Sequence, residues 1–264
     1  MLQPEQIQTF ADELYHALRH QQMLAPLTER APDITIEDAY AISSALLQKR
    51  IEIDGEKVIG KKIGVTSKAV QNMLGVHQPD FGYLTDAMVV DESEPLSLTT
   101  KMIQPRAEGE IAFVLKHDLI GPGVTATDVL RATDFVVPCF EIVDSRVKDW
   151  KIKIQDTVAD NASCGYFLLG SQAADPRKLD LSTVGMVVEL NGQVISTGAG
   201  AAALGSSPIS CVVWLANTLG RFGVPLKAGE VILSGSLVPL QPVKAGDYMS
   251  VSIGGIGRTA VRFT

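Results

Sequence analysis

The chain has 264 residues, 46% hydrophobic and 20% charged, enough for one large core or a core with a smaller appendage. A formal net charge of −7 excludes the basic surface that nucleic acid or an anionic membrane requires of a partner. Three cysteines, Cys139, Cys164 and Cys211, lack paired spacing, which excludes a disulfide framework or a zinc motif.

Residues 4–24 place Ile7, Phe10, Ala11, Leu14 and Leu18 at helical spacing. Thr35 followed by an acidic first turn caps a second helix running to about Arg50, and Asp54-Gly55 turns the chain. Residues 1–56 therefore read as a helical N-terminal portion, and residues 57–264 as a mixed-sheet domain. In that second part a strand is predicted over 58–65 and a capped helix over 67–74, stopped by Gly75. Further strands are predicted near 109–116, 135–143, 184–190, 230–236 and 248–253, with one more at the C-terminus. A short helix opens at Thr125, and a longer one at Ser207-Pro208 with proline at its first position. Pro225–Glu230 and Pro242–Asp247 are similar turns entering strands, and 198–205 is a glycine-rich tight loop suited to close backbone approach at a pocket. Strands without regular βα alternation point to an α+β fold, a mixed, curled β-sheet roll carrying the helical portion. The N-terminus has no basic segment followed by an apolar one. No run of about eighteen apolar residues occurs, so a soluble cytoplasmic protein is expected.

Glu141 is the anomaly. It stands in Phe135–Val143, whose eight other residues are apolar, and such a run reads as a strand buried on both faces. An ionised carboxylate there costs several kcal/mol, roughly, unless a cation or metal answers it. Upstream, Glu108 and Glu110 lie two apart in a strand pattern and share a face. Three such carboxylates, with no His or Cys beside the first pair, suit a hard divalent cation bound through oxygen. Two plainer readings compete: Glu-x-Glu as a solvated strand face, and Glu141 as the partner of Arg146. Lys61 and Lys62, flanked by glycines, face opposite sides of their strand. One can reach solvent while the other points inward, and an inward lysine could bind a carboxylate or relay a proton, its pKa lowered by burial; alternatively both snorkel outward. The turn-rich segment around His77 and Asp80 offers Asp80 as an acid or base, or as a turn cap. The polar cluster Asp160-Asn161-Ala162-Ser163 offers donors to a substrate or simply a turn, and Ser163 lacks the context of a nucleophile.

Five separated segments resemble one family in the same order: Val58–Ser67, His77–Leu84, Ala107–Phe113, Phe140–Arg146 and Val158–Ser163. The chain is similar over most of its length to the 2-hydroxypentadienoate (2-oxopent-4-enoate) hydratases, in the hydratase/decarboxylase branch of the fumarylacetoacetate hydrolase-like superfamily. That resemblance implies a Mg²⁺ or Mn²⁺ ion held by Glu108, Glu110 and Glu141, with Lys62 and Asp80 as catalytic groups and Lys62 and Ser163 contacting substrate. It implies hydration of 2-hydroxypenta-2,4-dienoate to 4-hydroxy-2-oxopentanoate in the meta-cleavage degradation of catechols. It further implies a homo-oligomer and association with 4-oxalocrotonate decarboxylase, the sister enzyme. Decarboxylation by this chain is the alternative activity, but it needs no group to activate water, so Asp80 favours hydration. A non-catalytic complex partner would be expected to have lost Lys62 or a carboxylate, and this chain keeps them.

Overall fold

The structure is a computed structural model and describes residues 1–68, 71–72 and 76–264. The helix expected over 67–74 and its stop at Gly75 include residues outside those described.

Helix α1 (Pro4–His20) starts with proline in its first turn and ends where Gln21 adopts a left-handed conformation, sooner than the sequence pattern suggested. It buries Phe10, Ala11, Leu14 and Ala17, one stripe at helical spacing. After the single turn α2 (Leu27–Arg30), α3 (Ile36–Asp54) begins at a reciprocal cap: Thr35 accepts from the Asp38 amide and Asp38 from the Thr35 amide. It runs four residues past Arg50, to a left-handed Gly55. These helices share a small core that draws Val158 and Ala159 from α6 (Ile154–Ala159), far along the chain. Further helices among the described residues are α4 (Leu98–Lys101), α5 (Ala126–Ala132) and α7 (Pro208–Gly220).

The large sheet contains β1 (Val58–Gly64), β2 (Asp80–Thr85), β3 (Pro105–Leu115), β4 (Thr133–Asp144), β5 (Cys164–Leu169), β8 (Val231–Leu233) and the short β9 (Gln241–Pro242). Its order is β2-β1-β8-β3-β4-β5, with β9 on β3. A second sheet, β11-β10-β6-β7, is built from β6 (Gly185–Leu190), β7 (Gln193–Ala199), β10 (Tyr248–Ile253) and β11 (Gly257–Arg262). Strands β2, β5 and β7 and the short β9 were not foreseen. In the first three, glycines and polar residues (Gly82, Gly165, Ser196) interrupt the apolar pattern that marks a strand.

Alternation along β3 sorts its side chains. Ala107, Ile111, Phe113 and Leu115 join the main core, where the second sheet and α7 also pack. Gly109 lies on that same side: a Cβ there would meet Val251 at 3.0 Å and Met186 at 3.1 Å. Glu108, Glu110 and Ala112 face the other way, into the concave side of the large sheet. That concavity is plugged by Leu84, Met88, Ala112, Val137, Phe167 and Leu233, and its polar end carries the carboxylates. The glycine-rich 198–205 stretch brings backbone close, as expected, but to backbone. A Cβ on Gly198 would lie 2.2 Å from the Leu237 carbonyl oxygen, and one on Gly200 1.6 Å from that of Leu181.

Candidate metal and acid–base site

Register places the acids. β3 and β4 pair antiparallel with Glu108 directly opposite Glu141, while Glu110 follows two residues on along the same face. One carboxylate oxygen from each of the three lies within 4.8 Å of the others. Glu110 and Glu141 are fully buried and Glu108 half-buried, so the cluster opens on the Glu108 side. The Gly235 amide donates to Glu110 Oε2 at 2.7 Å. Among the described residues, Glu110 Oε1 and both oxygens of Glu141 accept no hydrogen bond. Buried acceptors left this way cost free energy and normally signal an unfilled bonding role. The donor set, three carboxylates and no sulfur or imidazole, fits a hard divalent cation.

The cation that Glu141 demanded is Lys62, not Arg146. Lys62 Nζ stands 3.2 Å from Glu141 Oε1, off the hydrogen-bonding direction. Three strand spacings separate β1 from β4, about 14 Å in a flat sheet, so curling is what brings the two side chains together. Arg146 is taken up elsewhere: its Nε and backbone N–H both bind the Asp160 carboxylate, at 2.5 and 2.9 Å. Burial alone would lower the Lys62 ammonium, but Glu141, Asp80 and Glu108 around it raise it above its ordinary value. The expected lowering is therefore reversed. Glu108 is pushed up to about 8, by burial first and Glu141 next, against the opposing pull of Lys62. Glu110 is raised well above its ordinary value as well, through burial and the charges of Glu108 and Glu141.

Lys61 corrects the sequence reading too. It faces away from Lys62 but does not reach solvent: Nζ is buried, 2.6 Å from both carboxylate oxygens of Glu230. Glu230 comes from the segment 223–230, which lines a cavity together with Lys61, and no pattern in the sequence marks that pairing.

Asp80 opens β2 opposite Gly64 of β1, on the face that carries Lys62. A Cβ on Gly64 would fall 2.2 Å from Asp80 Oδ1 and 3.4 Å from Lys62 Nζ, so only glycine leaves both groups this room. Asp80 Oδ1 also accepts no hydrogen bond among the described residues, and burial raises its pKa while Lys62 lowers it. His77 is exposed at the mouth of the cavity that Asp80 lines.

Ser163 is buried, with its hydroxyl 3.0 Å from that of Thr157. It ends three consecutive non-glycine residues with positive φ: Asn161 (53°), Ala162 (51°) and Ser163 (54°). Such a run is strained and persists only where its surroundings impose it. The imposing contact is Asn161, whose side chain accepts from the Tyr83 amide at 2.8 Å and donates to the Tyr83 carbonyl at 2.9 Å. Asn161 thereby acts as a one-residue strand on the free edge of β2, linking it to the start of β5 across the mouth of the curl. The sequence reading saw a polar turn here and missed this clamp. Three adjacent small or polar residues before an apolar run were the only signal.

Residues 60–264 match the family description "Fumarylacetoacetate (FAA) hydrolase C-terminal". A 2-hydroxypent-2,4-dienoate hydratase from Pseudomonas putida is 67% identical over 218 residues, 83% of this chain and 97% of its own. A 2-hydroxyhexa-2,4-dienoate hydratase from Comamonas testosteroni is 60% identical over 259 residues, 98% of this chain and 97% of its own. Among solved structures, 4-oxalocrotonate decarboxylase from Pseudomonas putida G7, complexed with magnesium and adipate, superimposes with a TM-score of 0.95. It is 37% identical, covering 100% of this chain and 99% of that one.

Proposed function

The chain belongs to the fumarylacetoacetate hydrolase C-terminal family, and from that premise we propose that it is a hydro-lyase adding water to 2-hydroxypenta-2,4-dienoate. The product is 4-hydroxy-2-oxopentanoate, and the setting is aromatic meta-cleavage catabolism. One observation carries the reading: three convergent carboxylates whose inner acceptors on Glu110 and Glu141 lack donors among the described residues, beside a buried lysine and a buried aspartate. Glu108, Glu110 and Glu141 would hold a divalent cation, Mg²⁺ or Mn²⁺, which when bound supplies Lewis acidity toward the substrate's C1 carboxylate and C2 oxygen.

The chain's own groups do the rest. Lys62 keeps a positive charge next to Glu141, where it attracts the substrate carboxylate and fixes its direction. Ser163 provides a hydroxyl to the same carboxylate. Hydration then needs a proton at C5, loss of the proton on the C2 hydroxyl, and water at C4 with a proton at C3. Asp80, whose Oδ1 accepts no hydrogen bond among the described residues and which lines a cavity, is the group that moves protons at this end; Lys62 stands at the other. Gly64 and the Asn161 clamp hold Asp80 where it can act.

A second reading is supported by the likeness to the decarboxylase, in which carbon dioxide leaves and no water adds. Offering purified protein and Mg²⁺ both 2-hydroxypentadienoate and 4-oxalocrotonate separates them by product mass. Gain of water from the first substrate is expected; loss of carbon dioxide from the second without hydration of the first would reverse the assignment. No helix among the described residues is long and apolar enough to cross a membrane. We further infer a cytoplasmic homo-oligomer able to associate with a decarboxylase partner, checked by light scattering of the protein alone and mixed with that partner.

A further inference from the structure

A cavity of about 320 Å³ lies in front of Asp80. Among the described residues, Ile36 and Tyr40 of α3, Ile154 of α6, and Val76 and Pro79 wall it, the exposed His77 and Gln78 also line it, and Asp80 is its one acidic residue. Glu108, Glu110, Glu141 and Lys62 do not line it. Asp80 therefore stands at a junction, with the charged cluster on one side and, on the other, a chamber whose inner walls are apolar and which His77 and Gln78 also line. The wall is held in place: the Tyr40 ring stacks on Phe81, with centroids 4.4 Å apart and planes 14° from parallel. Ile36 and Ile154 are half-buried and pack against the small helical core.

A 2-hydroxy-2,4-dienoate has the same polarity along its length. Its carboxylate and C2 oxygen belong with the cation site and Lys62, so C4 and C5 point toward Asp80 and whatever lies beyond. At about 30 Å³ for a water-sized group, the cavity holds roughly ten such groups, more than a terminal vinyl carbon fills. Two of its walls, Ile36 and Tyr40, precede the residues that match the family description, which begin at 60.

Resting on the functional reading above, we propose that this chamber is a tail subsite for alkyl groups on C5 of the dienoate. The helical N-terminal portion, residues 1–56, is then a specificity element and not only a packing partner. Ile36, Tyr40 and Ile154 set the tail length admitted; Asp80 touches the reacting carbons at its entrance.

The test compares kcat/KM for 2-hydroxypenta-2,4-dienoate and its 5-propyl homologue, 2-hydroxyocta-2,4-dienoate. Measurements are made on the unaltered protein and on Ile36→Ala, Ile154→Ala and Ile154→Phe, each checked for folding by thermal unfolding. The alanine variants should raise the octadienoate-to-pentadienoate ratio about 10-fold, and Ile154→Phe should lower it about as much, the discrimination that one or two methylenes confer. Pentadienoate turnover should stay within about 3-fold. Should one alanine variant fail to fold, the other and the phenylalanine variant decide. A ratio that stays fixed while both substrates rise or fall together would overturn the subsite. Absence of water addition to either substrate by the unaltered protein would instead overturn the functional reading, and the subsite with it.

Discussion

Lys61 and Lys62 are adjacent, both are buried, and they meet carboxylates in opposite ways. Lys61 faces one partner, Glu230, whose two oxygens both accept from it; Glu230 also takes the Lys227 amide at 2.9 Å. Burial holds Lys61 below its ordinary pKa despite that partner. Lys62 faces Glu141, Asp80 and Glu108, and the sum of their charges reverses the effect of burial. Around Lys61 the charges are matched and the acceptors satisfied. Around Lys62 there are more carboxylates than one lysine answers, and among the described residues four buried oxygens of Asp80, Glu110 and Glu141 lack donors. A closed pair is architecture; an open cluster is a place where something else binds. On the function proposed, the two faces of one strand separate stability from chemistry.

That contrast can be broken by experiment, most severely at the open cluster. Asp80→Asn and Lys62→Met should each lower hydration by about 10³-fold; Asp80→Asn should leave thermal unfolding little changed, whereas Lys62→Met leaves Glu141 buried without its lysine and should lower the unfolding temperature in the absence of a divalent ion. Divalent-ion binding should survive Asp80→Asn. Equal loss of hydration and ion binding in that variant would make Asp80 a support for the loop.

At the closed pair the effects should exchange. Lys61→Met strands a buried carboxylate and should cost about 3–5 kcal/mol of stability, while turnover per folded molecule stays within about 3-fold. The double variant Lys61→Met/Glu230→Leu should recover most of that stability, as measured by denaturant unfolding. If Lys61→Met were as stable as the unaltered protein, the pair would not be structural.

The Asn161 clamp lies between these extremes. Asn161→Ala removes both bonds to Tyr83 and should lower kcat about 10- to 100-fold, because a small misplacement of β2 moves Asp80. Its stability loss should be about 1–3 kcal/mol. Loss of stability without any fall in kcat would confine Asn161 to holding the fold.

The smallest expected effect is in pH dependence. Glu108 and Glu110 have folded-state pKa values raised above their unfolded ones, Glu108 to about 8. Between those values the folded protein holds more protons, so its stability without metal falls as pH rises from about 4.5 toward 8. Saturating Mg²⁺ favours the ionised carboxylates and should flatten that fall by several degrees of melting temperature at pH 8. Parallel curves with and without Mg²⁺ would show that the ion does not engage these groups.

Much of this was legible in the residues. A lone glutamate in an apolar run announced both its burial and its need for a cation, and the spacing of Glu108 and Glu110 gave their shared face. What one strand's pattern does not carry is curvature. Nothing in the spacing says that β1 and β4, separated by two strands, face each other, and so Lys62 and not Arg146 answers Glu141. The Lys61–Glu230 pair spans 169 positions and had no local mark. Strand β2 was hidden because Gly82 must be small: a Cβ there would lie 2.5 Å from the Asn161 carbonyl oxygen. The requirements that place Asp80 also erase the apolar alternation by which strands are recognised.

The central claim is that three carboxylates on two paired strands hold one divalent cation. Titration calorimetry with Mg²⁺, repeated with Mn²⁺, tests it most directly on the unaltered protein, Glu110→Gln and Asp80→Asn. The account predicts one ion per chain in the unaltered protein, affinity weakened about 100-fold or more in Glu110→Gln, and near-unchanged affinity in Asp80→Asn. No saturable binding by the unaltered protein, or equal affinity after Glu110→Gln, would contradict it.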